Sequence, residues 1–109
     1  MSLIDKDQIN SISGGEPGIL LPILEDFAAS SEMLIAEAIA FTKSSNFTQA
    51  ASLLHQLKGS SGTLGLSVFC EACGTAEDVC HSGEAVDLIP LKAMMSDSVA
   101  EASTFMRPD

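Results

Sequence analysis

The residues best suited to chemistry are His55, Lys58 and three glycines, Gly59, Gly62 and Gly65, in the run Leu53-Leu54-His55-Gln56-Leu57-Lys58-Gly59-Ser60-Ser61-Gly62-Thr63-Leu64-Gly65. Laid on a helix at about 100° per residue, Ala50, Leu53, Leu57 and Leu64 fall within about 60° of one another and form the stripe that must be buried. His55 lies roughly opposite that stripe and points to water. Gly59 and Gly62, at i+4 and i+7, share its face. Each glycine inside a helix costs about 1 kcal/mol relative to alanine, so the pair opposes helix stability. What the glycines supply is access: a bare helix face lets another protein come close to the imidazole, while Lys58 at i+3 can swing a cation beside it. Neutral imidazole is a competent nitrogen nucleophile near neutral pH. An ammonium group can neutralise charge on a phosphoryl group that the ring receives. No acid, metal-ligand cluster or phosphate-binding loop lies near His55 in sequence. The pattern is that of a phosphoryl carrier: His55 is the phosphorylated nucleophile, Lys58 stabilises the phosphate, Gly59 and Gly62 form an open docking face, and catalysis is supplied by a partner. Gly65 reads as the helix end, a C-cap glycine.

The spacing His-x-x-Lys-Gly, with further glycines at His+7 and His+10, resembles the histidine-containing phosphotransfer (HPt) domain of two-component phosphorelays. The positions that carry the resemblance are His55, Lys58, Gly59, Gly62 and Gly65. The resemblance implies a phosphorelay intermediate that accepts a phosphoryl group on His55 from the aspartyl phosphate of a receiver domain and passes it to another receiver. The implied partners are response-regulator receiver domains or a hybrid sensor histidine kinase, with Mg²⁺ held by the receiver and no cofactor in this chain. Phosphorylation directly by a kinase domain is a variant that needs an ATP-binding enzyme elsewhere.

Each residue also has a plainer reading. A lone helical histidine is usually a solvated surface group, and Lys58 alone would be a solvated charge; it is their combination with the glycines that points to function. A second function class is a helical interaction module that is never phosphorylated and docks through the His55, Gly59 and Gly62 face. A third is a metal enzyme using His55, His81 and the cysteines. Cys70-x-x-Cys73 with Cys80-His81 spans ten residues of helix, about 15 Å, too far for one tetrahedral site. No metal site is expected. Cys73 and Cys80 share a face with Phe69, Ala72, Ala76 and Val79 and read as core residues, with Cys70 nearer the edge.

Five basic residues against fifteen acidic ones give a formal charge of −10, which repels nucleic acid phosphates and anionic membrane surfaces. Neither Trp nor Tyr is present to stack on bases. No stretch approaches the ~18 to 20 apolar residues of a membrane span, and no basic n-region followed by an apolar run opens the sequence. Three cysteines, an odd number within one helical segment, do not suggest a secreted disulfide framework. The expectation is a cytoplasmic monomer, either free-standing or the cytoplasmic domain of a membrane-bound hybrid kinase.

The elements that must position His55 are all helical. The 109 residues are read as one domain. A short helix over 5–13 has Ile9 and Ile12 as its apolar pair and Gly14-Gly15 as its stop. The apolar spacing of Leu20, Leu21, Leu24, Phe27, Leu34, Ala38 and Phe41 predicts one helix over 17–44, continuous through Ser30-Ser31. Helices over 46–64 and 67–81 follow, the first capped by Asn46 or Ser45. A last helix over 87–106 is capped by Asp87 and buries Leu91, Met94, Met95, Val99, Ala102 and Phe105. Short connections make neighbours antiparallel. The expected fold is all-α, an antiparallel up-down four-helix bundle with a short N-terminal capping helix.

Overall fold

The computed structural model describes residues 2–108, and all of its regular secondary structure is helical. In chain order the elements are α1 (Lys6–Ile12), a 3₁₀ turn (Pro17–Leu20), α2 (Leu21–Lys43), α3 (Phe47–Thr63), α4 (Ser67–His81) and α5 (Pro90–Met106). The four long helices pack in a cycle, α2 on α3, α3 on α4, α4 on α5 and α5 on α2, in a body measuring 46 × 21 × 20 Å.

Local chemistry explains several of the helix ends. Asp5 starts α1 by accepting from the Gln8 amide at 3.0 Å, and Asn46 starts α3 by accepting from the Gln49 amide at 3.4 Å. Gly14 and Gly15 follow α1 with φ of 64° and 85°, a conformation that costs a side-chain-bearing residue about 1–2 kcal/mol. Ser45 adopts φ 61° in the tight connection before α3.

Several boundaries and faces differ from the sequence-based expectation. The segment 17–44 opens with a 3₁₀ turn rather than α-helix, because Pro17 and Pro22 lack the amides that would continue a ladder there. From Leu21 the helix is continuous through Ser30-Ser31, but Ser31 is buried, with a hydroxyl that finds no partner among the described residues. Asp87 does not cap α5: its Oδ1 accepts from the Ile89 amide at 3.1 Å, a local turn, and the helix begins at Pro90. Along α5 the buried residues are Leu91, Met95, Ser98, Ala102 and Met106, with Met94, Val99 and Phe105 half-buried. In α3 the buried stripe is Ala50, Ala51, Leu54, Leu57 and Ser61, so Leu54, not Leu53, lies at its centre. Ile12 is 45% exposed and only Ile9 of the α1 pair is buried.

The core runs the length of the cycle, with Phe27 of α2 set edge-on to Phe69 of α4 at 6.3 Å between ring centres. Cys73 and Cys80 are buried and Cys70 half-buried, all as free thiols. Burial, and secondarily the neighbouring Cys70, pushes the Cys73 thiol up to about 12.

α1 lies across the turn between α3 and α4. The Asp5 amide donates to the Gly65 carbonyl at 2.8 Å, Gln8 Nε2 donates to the Gly62 carbonyl at 2.6 Å, and Ile9 is fully buried there. Ahead of α1, Glu101 of α5 holds the chain start, accepting from the Ser2 hydroxyl and from the Leu3 amide at 3.1 Å. These bonds, the Ser2 one first, lower the pKa of Glu101 from its ordinary carboxylate value. A carboxylate whose pKa is lower folded than unfolded stabilises the fold above the unfolded value and loses that contribution as pH falls through the folded one. Glu101→Gln is therefore expected to lower the denaturation midpoint at neutral pH and to match wild type in acid well below the carboxylate range. A midpoint difference that persists unchanged in acid would remove the charge from this account.

Candidate functional site

α3 presents His55 to solvent because the helix turns its Leu54 and Leu57 side inward, leaving the imidazole side chain 74% exposed. α4 runs antiparallel beside it. Gly62 approaches Cys70, Lys58 lies over Gly74, and His55 meets Glu77, so each step back along α3 is matched by a step forward along α4.

Glu77 is the residue that the sequence reading missed. Its Oε2 lies 3.1 Å and its Oε1 3.3 Å from His55 Nδ1, and its side chain is only 13% exposed. The same Oε2 lies 3.3 Å from Nε2 of His81, one turn further along α4. The absence of an acid near His55 in sequence therefore does not hold in space. The carboxylate, an acceptor only, can take a proton from Nδ1 of His55, which in the neutral ring puts the lone pair on Nε2. The only cue in the sequence was the i,i+4 pair Glu77 and His81, which is common on solvated helices.

The other predicted residues fall differently around the ring. The Lys58 stem crosses α4, and a Cβ on Gly74 would stand 3.4 Å from its Cδ and Cε and 3.6 Å from Nζ. Lys58 thus borders a groove of about 380 Å³ between α3 and α4, along with Gly62, Cys70, Gly74 and Asp78. Gly59 faces open space, with nothing within 4 Å of a Cβ built on it. Gly62 does not: a Cβ there would come 3.2 Å from Cys70 Sγ, and its carbonyl is bonded to Gln8. The expected bare face is therefore bare at Gly59 only, while Gly62 is the close approach that brings α3 against α4. Gly65 is buried just beyond the end of α3 with φ 74°, in contact with α1. A cleft of about 510 Å³ between α4 and α5 is lined by Val68, Ala72, Val79 and Met94 among others and includes none of these residues.

The two helical glycines should separate in a stability measurement. Gly59→Ala is expected to raise stability by about 0.5–1 kcal/mol, the propensity gain in open space. Gly62→Ala should gain less or lose, since Cys70 Sγ must give way. Equal gains in urea unfolding would show that the Gly62 contact constrains nothing.

Comparison with known proteins bears on this geometry. The family model described as Hpt domain matches residues 22–103, from the start of α2 into the last turn of α5, with His55 and Glu77 inside the match. The chain belongs to the Hpt domain family. Hpt domains are phosphocarrier modules of phosphorelays, not catalysts, and interact there with receiver or kinase domains. Neither the curated proteins nor the solved structures contain a match to this chain. Among the described residues of this Hpt domain, no helix is long and apolar enough to cross a membrane.

Proposed function

We propose that His55 is the phosphoryl acceptor of this Hpt domain, taking the group from the aspartyl phosphate of one receiver domain and passing it to another. The observation that carries this reading is the exposed His55 ring held through Nδ1 by Glu77, which leaves Nε2 free. In the step, the Nε2 lone pair forms the N–P bond in line as the P–O bond to the aspartyl oxygen breaks, and the carboxylate leaves with that electron pair. Nδ1 keeps its proton. The ring becomes a phosphorylated imidazolium whose positive charge faces the Glu77 carboxylate. On the return transfer the ring leaves as neutral imidazole.

Lys58 supports the reading as an exposed cation one turn from His55 on α3, with a long stem that can carry its ammonium toward a phosphoryl group. Gly59 supports it as the open surface beside the ring onto which a receiver can close. The docking receiver brings Mg²⁺ in its own acidic pocket, and this chain contributes no cofactor. The wider reading is an antiparallel up-down four-helix bundle, α2 to α5, capped by α1, acting as a cytoplasmic monomer beside response regulators or a hybrid sensor histidine kinase. The cyclic packing and the antiparallel α3 and α4 support it.

The test is to mix the protein with a phosphorylated receiver. An acid-labile, base-stable phosphoryl group mapping to His55 is expected. Label on serine, or none from any of a broad set of receivers, overturns the assignment.

A further inference from the structure

His81 lies outside the motif and would ordinarily count as an exposed partner in an i,i+4 pair. Its ring is 61% exposed and it is the last residue of α4. Its position relative to Glu77 gives it more to do. Both histidines aim a ring nitrogen at the same carboxylate oxygen, His55 Nδ1 at 3.1 Å and His81 Nε2 at 3.3 Å from Glu77 Oε2. Among the described residues, no lysine or arginine forms an ion pair with Glu77, and these two rings are its side-chain hydrogen-bond partners.

We propose that His81 is a positioning residue for phosphoryl transfer, holding the Glu77 carboxylate in place so that Glu77 in turn holds His55 by Nδ1–H. This rests on the reading of His55 as the acceptor. A glutamate side chain has three rotatable bonds and loses rotamer entropy when it is fixed. With one donor it keeps more of that rotational freedom. A second donor from its own helix, one turn away, restrains it before any partner arrives. His81 supplies that donor whether its ring is neutral with the proton on Nε2 or cationic, so the role does not depend on its charge.

The consequence for chemistry lies in the tautomer of His55. While Nδ1 carries the proton, Nε2 has the lone pair that forms the N–P bond, and the electron pair of the breaking P–O bond stays with the departing aspartate. If Glu77 swings away, the ring can shift its proton to Nε2, and the exposed nitrogen then has nothing to attack with. Losing His81 lowers the population of the reactive form without removing the nucleophile.

The experiment compares the wild-type chain with His81→Ala and His81→Gln. The ¹⁵N shifts of the His55 ring are read by long-range proton–nitrogen NMR in the unphosphorylated protein. The rate of phosphoryl uptake from a phosphorylated receiver is read in single turnover. In the wild type the His55 shifts should show Nδ1 protonated and Nε2 bare. His81→Ala should move the two shifts toward each other and slow uptake roughly threefold to tenfold, the rate equivalent of one modest hydrogen bond. His81→Gln, whose amide can donate from a similar place, should restore both. Label in the wild type and in His81→Ala at equal rates, with equal shifts, overturns this inference alone, as does a glutamine variant no better than alanine. Absence of label on His55 in the wild type overturns the acceptor reading and this inference with it.

Discussion

His55→Gln is expected to fold like the wild type and to take up no phosphoryl group from any phosphorylated receiver. The fold should survive because the side chain is 74% exposed and contributes nothing to the core. Its one polar contact, with Glu77, crosses the surface between α3 and α4 and is worth little to stability. Glutamine can still donate toward Glu77, so the carboxylate is not stranded. What glutamine lacks is a nitrogen lone pair, since its amide nitrogen is delocalised and does not attack phosphorus. The loss should be total rather than graded, because among the described residues no other exposed imidazole is framed by a lysine and a bare glycine on its own helix. His81 also gives one ring nitrogen to Glu77, but it is the last residue of α4 and has no lysine and glycine following it on its own helix as His55 has. The serines near the site are occupied locally, Ser60 and Ser61 donating to the carbonyls of Gln56 and Leu57. The chemical signature makes the measurement decisive: a phosphoramidate is lost in acid and kept in base, whereas a serine phosphate survives acid. Label persisting in His55→Gln, with either signature, would move the acceptor elsewhere.

The motif was legible in the sequence because a helix converts spacing into a shared face. His55, Lys58 and Gly59 needed only the 3.6-residue period to be placed on the outside of α3. What the period could not show was the neighbour. Glu77 sits 22 residues from His55, and the two meet through the register of α3 against α4, in which Gly62 lies against Cys70 and His55 against Glu77. A slide of one turn between the helices would have offered His55 a different residue. The same gap in information explains Gly62, which looks identical to Gly59 in sequence and is distinguished only by what α4 puts opposite it. The stripe centred on Leu54 rather than Leu53 is a related case. Adjacent leucines differ by about 100° around the helix, and both α2 and α4 pack on α3, which rotates the buried arc away from where one packed side would place it. Asp87 misled because a residue that favours helix starts also favours turns, and Pro90 three positions later is where the α-helix can begin.

Gly65→Ala is expected to be among the most destabilising single-methyl changes in the chain, by about 2–4 kcal/mol. Two costs combine. The residue has φ 74°, a left-handed conformation that costs an L-residue about 1–2 kcal/mol. The added Cβ would also lie 2.7 Å from Ile9 Cγ1 and 3.2 Å from the Asp5 carbonyl oxygen. Ile9 is fully buried and cannot swing clear, and the Asp5 oxygen is backbone that accepts the first hydrogen bond of α1, from the Ile9 amide. The chain must therefore lift α1 off the turn, breaking the bond from the Asp5 amide to the Gly65 carbonyl and loosening Gln8 from the Gly62 carbonyl. Gly83→Ala provides the control. Its φ is 76°, almost the same strain, but nothing lies within 4 Å of a Cβ there. Urea unfolding of both variants should show Gly83→Ala losing only the conformational term and Gly65→Ala losing clearly more. The excess measures how tightly α1 is seated on the α3 to α4 turn, and therefore how firmly that turn fixes the register that brings Glu77 to His55. If the two variants lose the same amount, α1 yields without cost and the register must be held by the α3 and α4 faces alone.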